Sequence, residues 1–106
     1  MAADRLAALM KMLEHEPDDT FCLYGVAQEH VRRGDLAQAL EWFDRTIAID
    51  PGHAYAWFHK AKTLDAAGDR AAAGAALRNG LAAAQRAGDG KAASEIAGYL
   101  EEMAER

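Results

Sequence analysis

Residues 20–53, TFCLYGVAQEHVRRGDLAQALEWFDRTIAIDPGH, and residues 54–87, AYAWFHKAKTLDAAGDRAAAGAALRNGLAAAQRA, are two copies of one pattern. Sliding the chain by 34 residues lays Leu23 on Trp57, Ala27 on Ala61, Gly34 on Gly68, Asp35 on Asp69 and Ala39 on Ala73; Phe43 then falls on Leu77 and Ile47 on Leu81. The same shift backward puts Leu9 under Phe43, Leu13 under Ile47 and Pro17 under Pro51, so the N-terminal segment reads as the second half of a unit. Within each copy apolar positions recur at i, i+3, i+4 and i+7, the spacing of one helix face: Leu23, Val26, Ala27, His30, then Leu36, Ala39, Leu40, Phe43, Ile47. Leu6, Leu9, Met10, Leu13 form such a stripe before them, and Trp57, Ala61, Leu64, then Ala73, Leu77, Leu81, Ala84, then Ala93, Ile96, Ala97, Leu100, Ala104 form others. Val, Ile and Thr together supply only eight residues, which disfavours strands. The expectation is an all-α chain of about six helices. Paired helices of about 14 residues span about 21 Å and cannot cover their own apolar face, so each pair must lean on the next.

Turn chemistry marks the joints. Gly34-Asp35 and Gly68-Asp69 each offer a left-handed stop followed by an N-capping carboxylate. Pro17 and Pro51 cannot continue a helix, and Gly88-Asp89-Gly90 breaks the chain before a last helix. The expected layout is one domain over 1–106: an N-terminal helix at 3–16, units at 20–53 and 54–87, and a capping helix at 90–105. A length of 106 residues with 51% hydrophobic and 27% charged residues suits a single folded unit. Ala27 and Ala61 let backbones approach, while Leu23, Phe43, Trp57 and Leu77 fill the space beside them. Truncating either Phe43 or Trp57 is expected to cost about 3 to 5 kcal/mol.

These residues resemble a known family. The pattern is similar to the tetratricopeptide repeat, in a small bacterial-type array with a half repeat, two full repeats and a capping helix. That resemblance covers nearly the whole chain and implies a right-handed α–α superhelix. In the family an aromatic or Leu, a Leu, a small residue and a Tyr or Leu line the first helix; Leu23, Val26, Ala27 and His30 stand there in one unit, Trp57, Lys60, Ala61 and Leu64 in the other. His30 and Lys60 depart from it, and His30 is expected to replace a core Tyr with one ring nitrogen satisfied. Ala39, Phe43 and Pro51 fit in the second helices, as do Ala73 and Leu77, with Thr46 and Gly80 in place of the usual Ala. Gln85 stands where a proline would close the second unit, so that helix is expected to run on for about a turn before Gly88.

The first-helix residues facing away from the partner helix are Tyr24, Gln28, Val31 and Arg32 in one unit and Tyr55, Phe58, His59 and Lys62 in the other. In the family this stripe lines the concave groove. The resemblance therefore implies a peptide-binding site of Tyr24, Gln28, Arg32, Tyr55, Phe58, His59 and Lys62. Rings supply apolar contact area, and cations or amides hold backbone carbonyls or an acidic side chain. The alternative is that Tyr24 and Phe58 simply pack against each other with wet edges. A family subclass grips a C-terminal carboxylate through Lys and Asn; Tyr24, Gln28 and His59 occupy those positions, so that mode is not expected. Three first helices at 8 to 10 Å spacing make a groove of about 20 Å, enough for about six extended residues.

Other chemistry finds little support. No two of His15, His30, His53 and His59 sit three or four apart on one helix, so no metal site is expected. Cys22 lies near a helix N-terminus, a position that can lower a thiol pKa, but has no partner close in sequence. Gly88-Asp89-Gly90 follows no strand and precedes no Lys-Ser or Lys-Thr, so it reads as a turn rather than a phosphate loop. No catalytic set and no cofactor are expected. A net charge of −5 repels phosphate backbones and anionic lipid, which argues against nucleic acid and membrane partners. A single cysteine and no leader-like start point to a reducing, cytoplasmic setting. The expected partner is a protein or peptide. Self-association is the rival reading, motivated by alanine-rich segments at Ala71 to Ala76 and Ala82 to Ala84.

Overall fold

Three glycines in the left-handed region end three helices in the same way. Gly34, Gly68 and Gly88 have φ of 78°, 88° and 70°. At each, the amide two residues past the last turn reaches back: Asp35 N to His30 O, Asp69 N to Leu64 O and Asp89 N to Ala84 O, all at 2.9 Å. This is the Schellman closure, which satisfies carbonyls the helix leaves open and needs a residue without a Cβ at the turn. The computed structural model describes residues 5–106. Among them are six helices and no strand: α1 Arg5–His15, α2 Thr20–Arg32, α3 Leu36–Ile49, α4 Ala54–Ala66, α5 Arg70–Ala87 and α6 Gly90–Ala104. Residues 3 and 4 of the expected first helix lie outside the described residues. No helix among the described residues is long and apolar enough to cross a membrane.

Asp19, Asp69 and Asp89 cap the helices that follow, their carboxylates accepting from Cys22 N (3.2 Å), Ala72 N (3.1 Å) and Ala92 N (3.0 Å). Asp35 does not, contrary to the symmetry of the two Gly-Asp turns. Its carboxylate instead lies 3.7 Å from His30 Nδ1, a distance suited to an ion pair but too long for a hydrogen bond. His30 Nδ1 is buried with no hydrogen-bond partner. α4 takes an imidazole as its cap, with His53 Nδ1 accepting from Ala56 N at 3.0 Å.

Each helix packs on its neighbours in sequence, and α4 also touches α6. The core is accordingly a row of clusters at successive seams. Leu9, Leu13, Cys22, Leu23 and Val26 join α1 to α2; Ala27, Ala39 and Phe43 join α2 to α3; a larger group around Phe58, Leu77, Ala84 and Ile96 joins α4, α5 and α6. Ala27, Ala39, Ala61 and Ala73 have no exposed surface, as close backbone approach requires. α5 runs for 18 residues against 14 in α3, so the missing proline does lengthen it by one turn. α6 then docks through Ala92, Ile96 and Met103, and Arg70 of α5 donates to the Met103 carbonyl.

One expectation about the core needs correction. Trp57 is half-buried, its indole N–H donating to the Pro51 carbonyl at 2.9 Å, so it carries less of the core than Phe43, which has no exposed surface. Lys60 lies at the α3–α4 seam, its ammonium 2.7 Å from Asp44 and 5.4 Å from the Trp57 ring centre. That placement explains how a charge stands in an otherwise apolar stripe.

At Gly80 α5 lies close against α4 and α6. A Cβ there would lie 2.8 Å from Trp57 Cβ and 3.3 Å from Ile96 Cδ1, and Trp57 Cβ is rooted in its helix and cannot swing away. Overpacking of this kind costs about 1 to 3 kcal/mol, more than the helix propensity that alanine gains. Gly80→Ala should therefore lower stability. Gly98→Ala, on α6 with nothing within 4 Å of the new methyl, should raise it by up to about 1 kcal/mol. Phe43→Ala should cost about 3 to 5 kcal/mol and Trp57→Ala less. Urea titrations of the four variants check the order and the signs.

Candidate binding groove

α2 and α4 carry the residues singled out above. Gln28, Arg32, His59 and Lys62 come together around a pocket of about 420 Å³, with Val31, Leu36, Phe43, Thr63 and Ala66 forming the rest of its lining. Leu36 and Phe43 belong to α3, so the pocket sits over the α2–α3 turn and opens between α2 and α4. Its wall is mainly apolar.

Tyr24, Tyr55 and Phe58 do not line that pocket; they form a ring cluster beside it. The two rings expected to pack on each other are instead bridged by His59, 5.8 Å from Tyr24 and 5.6 Å from Phe58. His59 also lies 6.4 Å from Phe43, nearly parallel to it, and 6.5 Å from Tyr55. Phe58 is only 8% exposed and meets Tyr99 of α6 edge to face at 5.9 Å. It thus offers a visitor little surface, whereas Gln28 is half-buried and Arg32 and Lys62 are exposed.

Electrostatics follow from this packing. Burial first, then the Lys62 charge, push the His59 pKa below the ordinary imidazole value; Glu95 opposes this and His53 adds to it. Burial, with a smaller contribution from Tyr55, raises the Tyr24 phenol to about 12, so it stays a neutral donor. Lys62 has no carboxylate within ion-pair distance among the described residues, and its ammonium rests 5.1 Å from the Phe58 ring centre. Arg32 shares a carboxylate: Glu29, only 5% exposed, receives Arg32 NH1 at 2.8 Å and Arg5 Nε at 3.1 Å.

Three contributors escaped the sequence reading. Glu29 was signalled only by its i, i+3 spacing to Arg32, because the Arg5 partner comes from another helix. Leu36 belongs to the second-helix stripe yet lines the pocket. Tyr99 extends the ring row onto α6, its hydroxyl donating to Asp65 Oδ2 at 2.6 Å while Arg106 holds the same carboxylate at 2.8 Å. Cys22 does not show the lowered pKa that its place near a helix N-terminus could give. It has no exposed surface, and burial together with Asp19 and Glu16 raises its pKa, which makes it a packing residue rather than an activated thiol.

Stacked helical hairpins of this period define a helical-repeat protein, and comparison with known proteins gives the class its name. The tetratricopeptide repeat model matches residues 20–63. The TPR repeat-containing protein PA0015 of Pseudomonas aeruginosa is 32% identical over 98 residues, spanning 92% of this chain and 93% of that one. This chain belongs to the tetratricopeptide repeat family, and its helices form that family's right-handed α–α superhelix. The solution structure of protein BPP2914 from Bordetella parapertussis is 30% identical with a TM-score of 0.83, covering 94% of this chain and 87% of that one. PcrH, in a crystal structure with the chaperone-binding region of PopD, shares the fold at TM-score 0.91 and 19% identity, covering 98% of this chain and 79% of that one.

The buried imidazole gives a stability test. Folding favours the neutral ring, so the folded pKa of His59 lies below its unfolded value. Its contribution is complete above the unfolded imidazole pKa, about 6.5, and is lost as pH falls through and below it. His59→Phe keeps a ring in place and removes the titration. Thermal unfolding between pH 7.5 and 5 should show a shallower loss of Tm for the variant than for the unmodified chain; equal slopes would mean the ring does not titrate against folding.

Proposed function

We propose that the chain is a protein-interaction module that holds a short extended segment of a partner protein along the α2–α4–α6 face. One observation carries the reading: Gln28, Arg32, His59 and Lys62, distant in sequence, converge on one open pocket with an apolar wall. Pockets of this volume with a few polar groups at the edge are the usual form of a binding site. Gln28 supplies both a donor and an acceptor for a peptide backbone, while Tyr24, Tyr55 and Tyr99 extend the face as a row of rings. PcrH, built on the same fold, is seen in complex with the chaperone-binding region of PopD, which supports a protein-binding role for this fold. The reading is non-catalytic and needs no cofactor. A cytoplasmic setting accords with the single, buried Cys22.

The alanines that motivate self-association divide. Ala73, Ala76, Ala83 and Ala84 are buried within the chain, leaving Ala71 and Ala75 as the exposed ones. That leaves less apolar surface for a second copy than the alanine count suggests, and favours the groove.

A random octapeptide library displayed on phage and selected on the purified protein tests the proposal. Selected peptides should bind the Gln28→Ala/Lys62→Ala double variant about tenfold more weakly or worse, with Tm unchanged because both side chains lie at the rim. Peptides indifferent to the change, or chemical-shift changes confined to the outer faces of α3 and α5, would overturn it.

A further inference from the structure

The pocket between α2 and α4 is asymmetric in a way that specifies its occupant. Its covered side is apolar: Phe43 has no exposed surface and Leu36 is half-buried, with Val31 and Ala66 adding exposed carbon. Its mouth is cationic, because Arg32 and Lys62 both border it. This contrasts with the net charge of −5 on the whole chain.

Lys62 is not neutralised in place, and Arg32 only in part. Lys62 has no carboxylate partner among the described residues, its ammonium lying only over the Phe58 ring. Arg32 contacts Glu29, but that one carboxylate is shared with Arg5, so two guanidinium charges face a single buried acid. Through NH1 Arg32 uses part of its donor fork; the rest of the fork remains for a ligand. His59 completes the wall as a neutral ring, its charged form disfavoured by burial and by Lys62. The acid that opposes this on the ring, Glu95, belongs to α6 and does not line the pocket.

Resting on the groove reading above, we infer that the partner segment carries a large apolar side chain for the pocket and an acidic residue beside it for the Arg32–Lys62 rim. The apolar side chain supplies affinity by leaving water. The acid selects the segment and sets its direction, since only one orientation places it over the two cations. A neutral segment forgoes the second contact, and a basic one is repelled at the rim.

The octapeptide selection, run in parallel on the unmodified protein and on Lys62→Glu, tests the inference. Lys62 is exposed and makes no ion pair among the described residues, so the fold should be retained, which circular dichroism checks. The unmodified protein should enrich peptides with Asp or Glu within two residues of Leu, Ile, Met or Phe. Changing that acid to its amide should weaken binding about three- to fivefold, the scale of one exposed charge pair, and changing the apolar residue to Ser at least about tenfold. Lys62→Glu should lose the preference for acid and accept Lys or Arg at the same place. Selected peptides that map to the α2–α4 pocket but show no acidic preference, or a preference that survives Lys62→Glu unchanged, would overturn this inference and leave the groove reading standing. A selection that yields no binders to either protein would overturn both.

Discussion

Phe43 holds together what the rest of the molecule depends on. It has no exposed surface, yet it belongs to neither of the helices that carry the groove. From α3 its ring meets Tyr24 of α2 at 6.0 Å and lies nearly parallel to His59 of α4 at 6.4 Å. One side chain thus spaces the two helices, and the same ring forms part of the pocket between them. A helical hairpin has too little apolar area to persist alone, so the contact that stabilises the stack is also the contact that shapes the binding surface.

The two seams solve the same packing problem differently. In the second unit Leu77 takes the place of Phe43 and is equally buried, but α5 comes so close at Gly80 that Trp57 is displaced toward solvent and its indole turns to the Pro51 carbonyl. On the inner side of this seam Phe58 and Tyr99 meet edge to face, and the Tyr99 hydroxyl and Arg106 share Asp65. α6 is therefore fastened to α4 by polar as well as apolar contacts. At the first seam the corresponding place holds Gln28, Val31 and Arg32, whose side chains border an open space instead of filling it. A site arises there because the repeat departs from its own average.

Much of the fold was legible because it follows from local spacing. The 34-residue shift, the Gly-Asp turns and Pro51 locate hairpins without reference to anything distant in the chain, and the replacement of a closing proline by Gln85 correctly implied a longer α5. The groove was legible only as a face. Helical periodicity separates Tyr24, Gln28 and Arg32 from Leu23 and Ala27, but it does not say that Phe58 is covered by a ring from α6, that His59 stands between the tyrosine and the phenylalanine, or that Asp35 turns from its cap toward His30.

The sequence by itself determined the elements: where each helix starts and stops, which stripe is apolar, and that neighbouring pairs must stack. These depend on residues within one or two helical turns of each other. Tertiary structure alone decided which polar side chains share a pocket, which rings remain accessible and how Glu29 is shared between two arginines. Those outcomes depend on the distance and rotation between helices, and these are set by the sizes of residues such as Phe43 and Gly80 meeting across seams that no local spacing encodes.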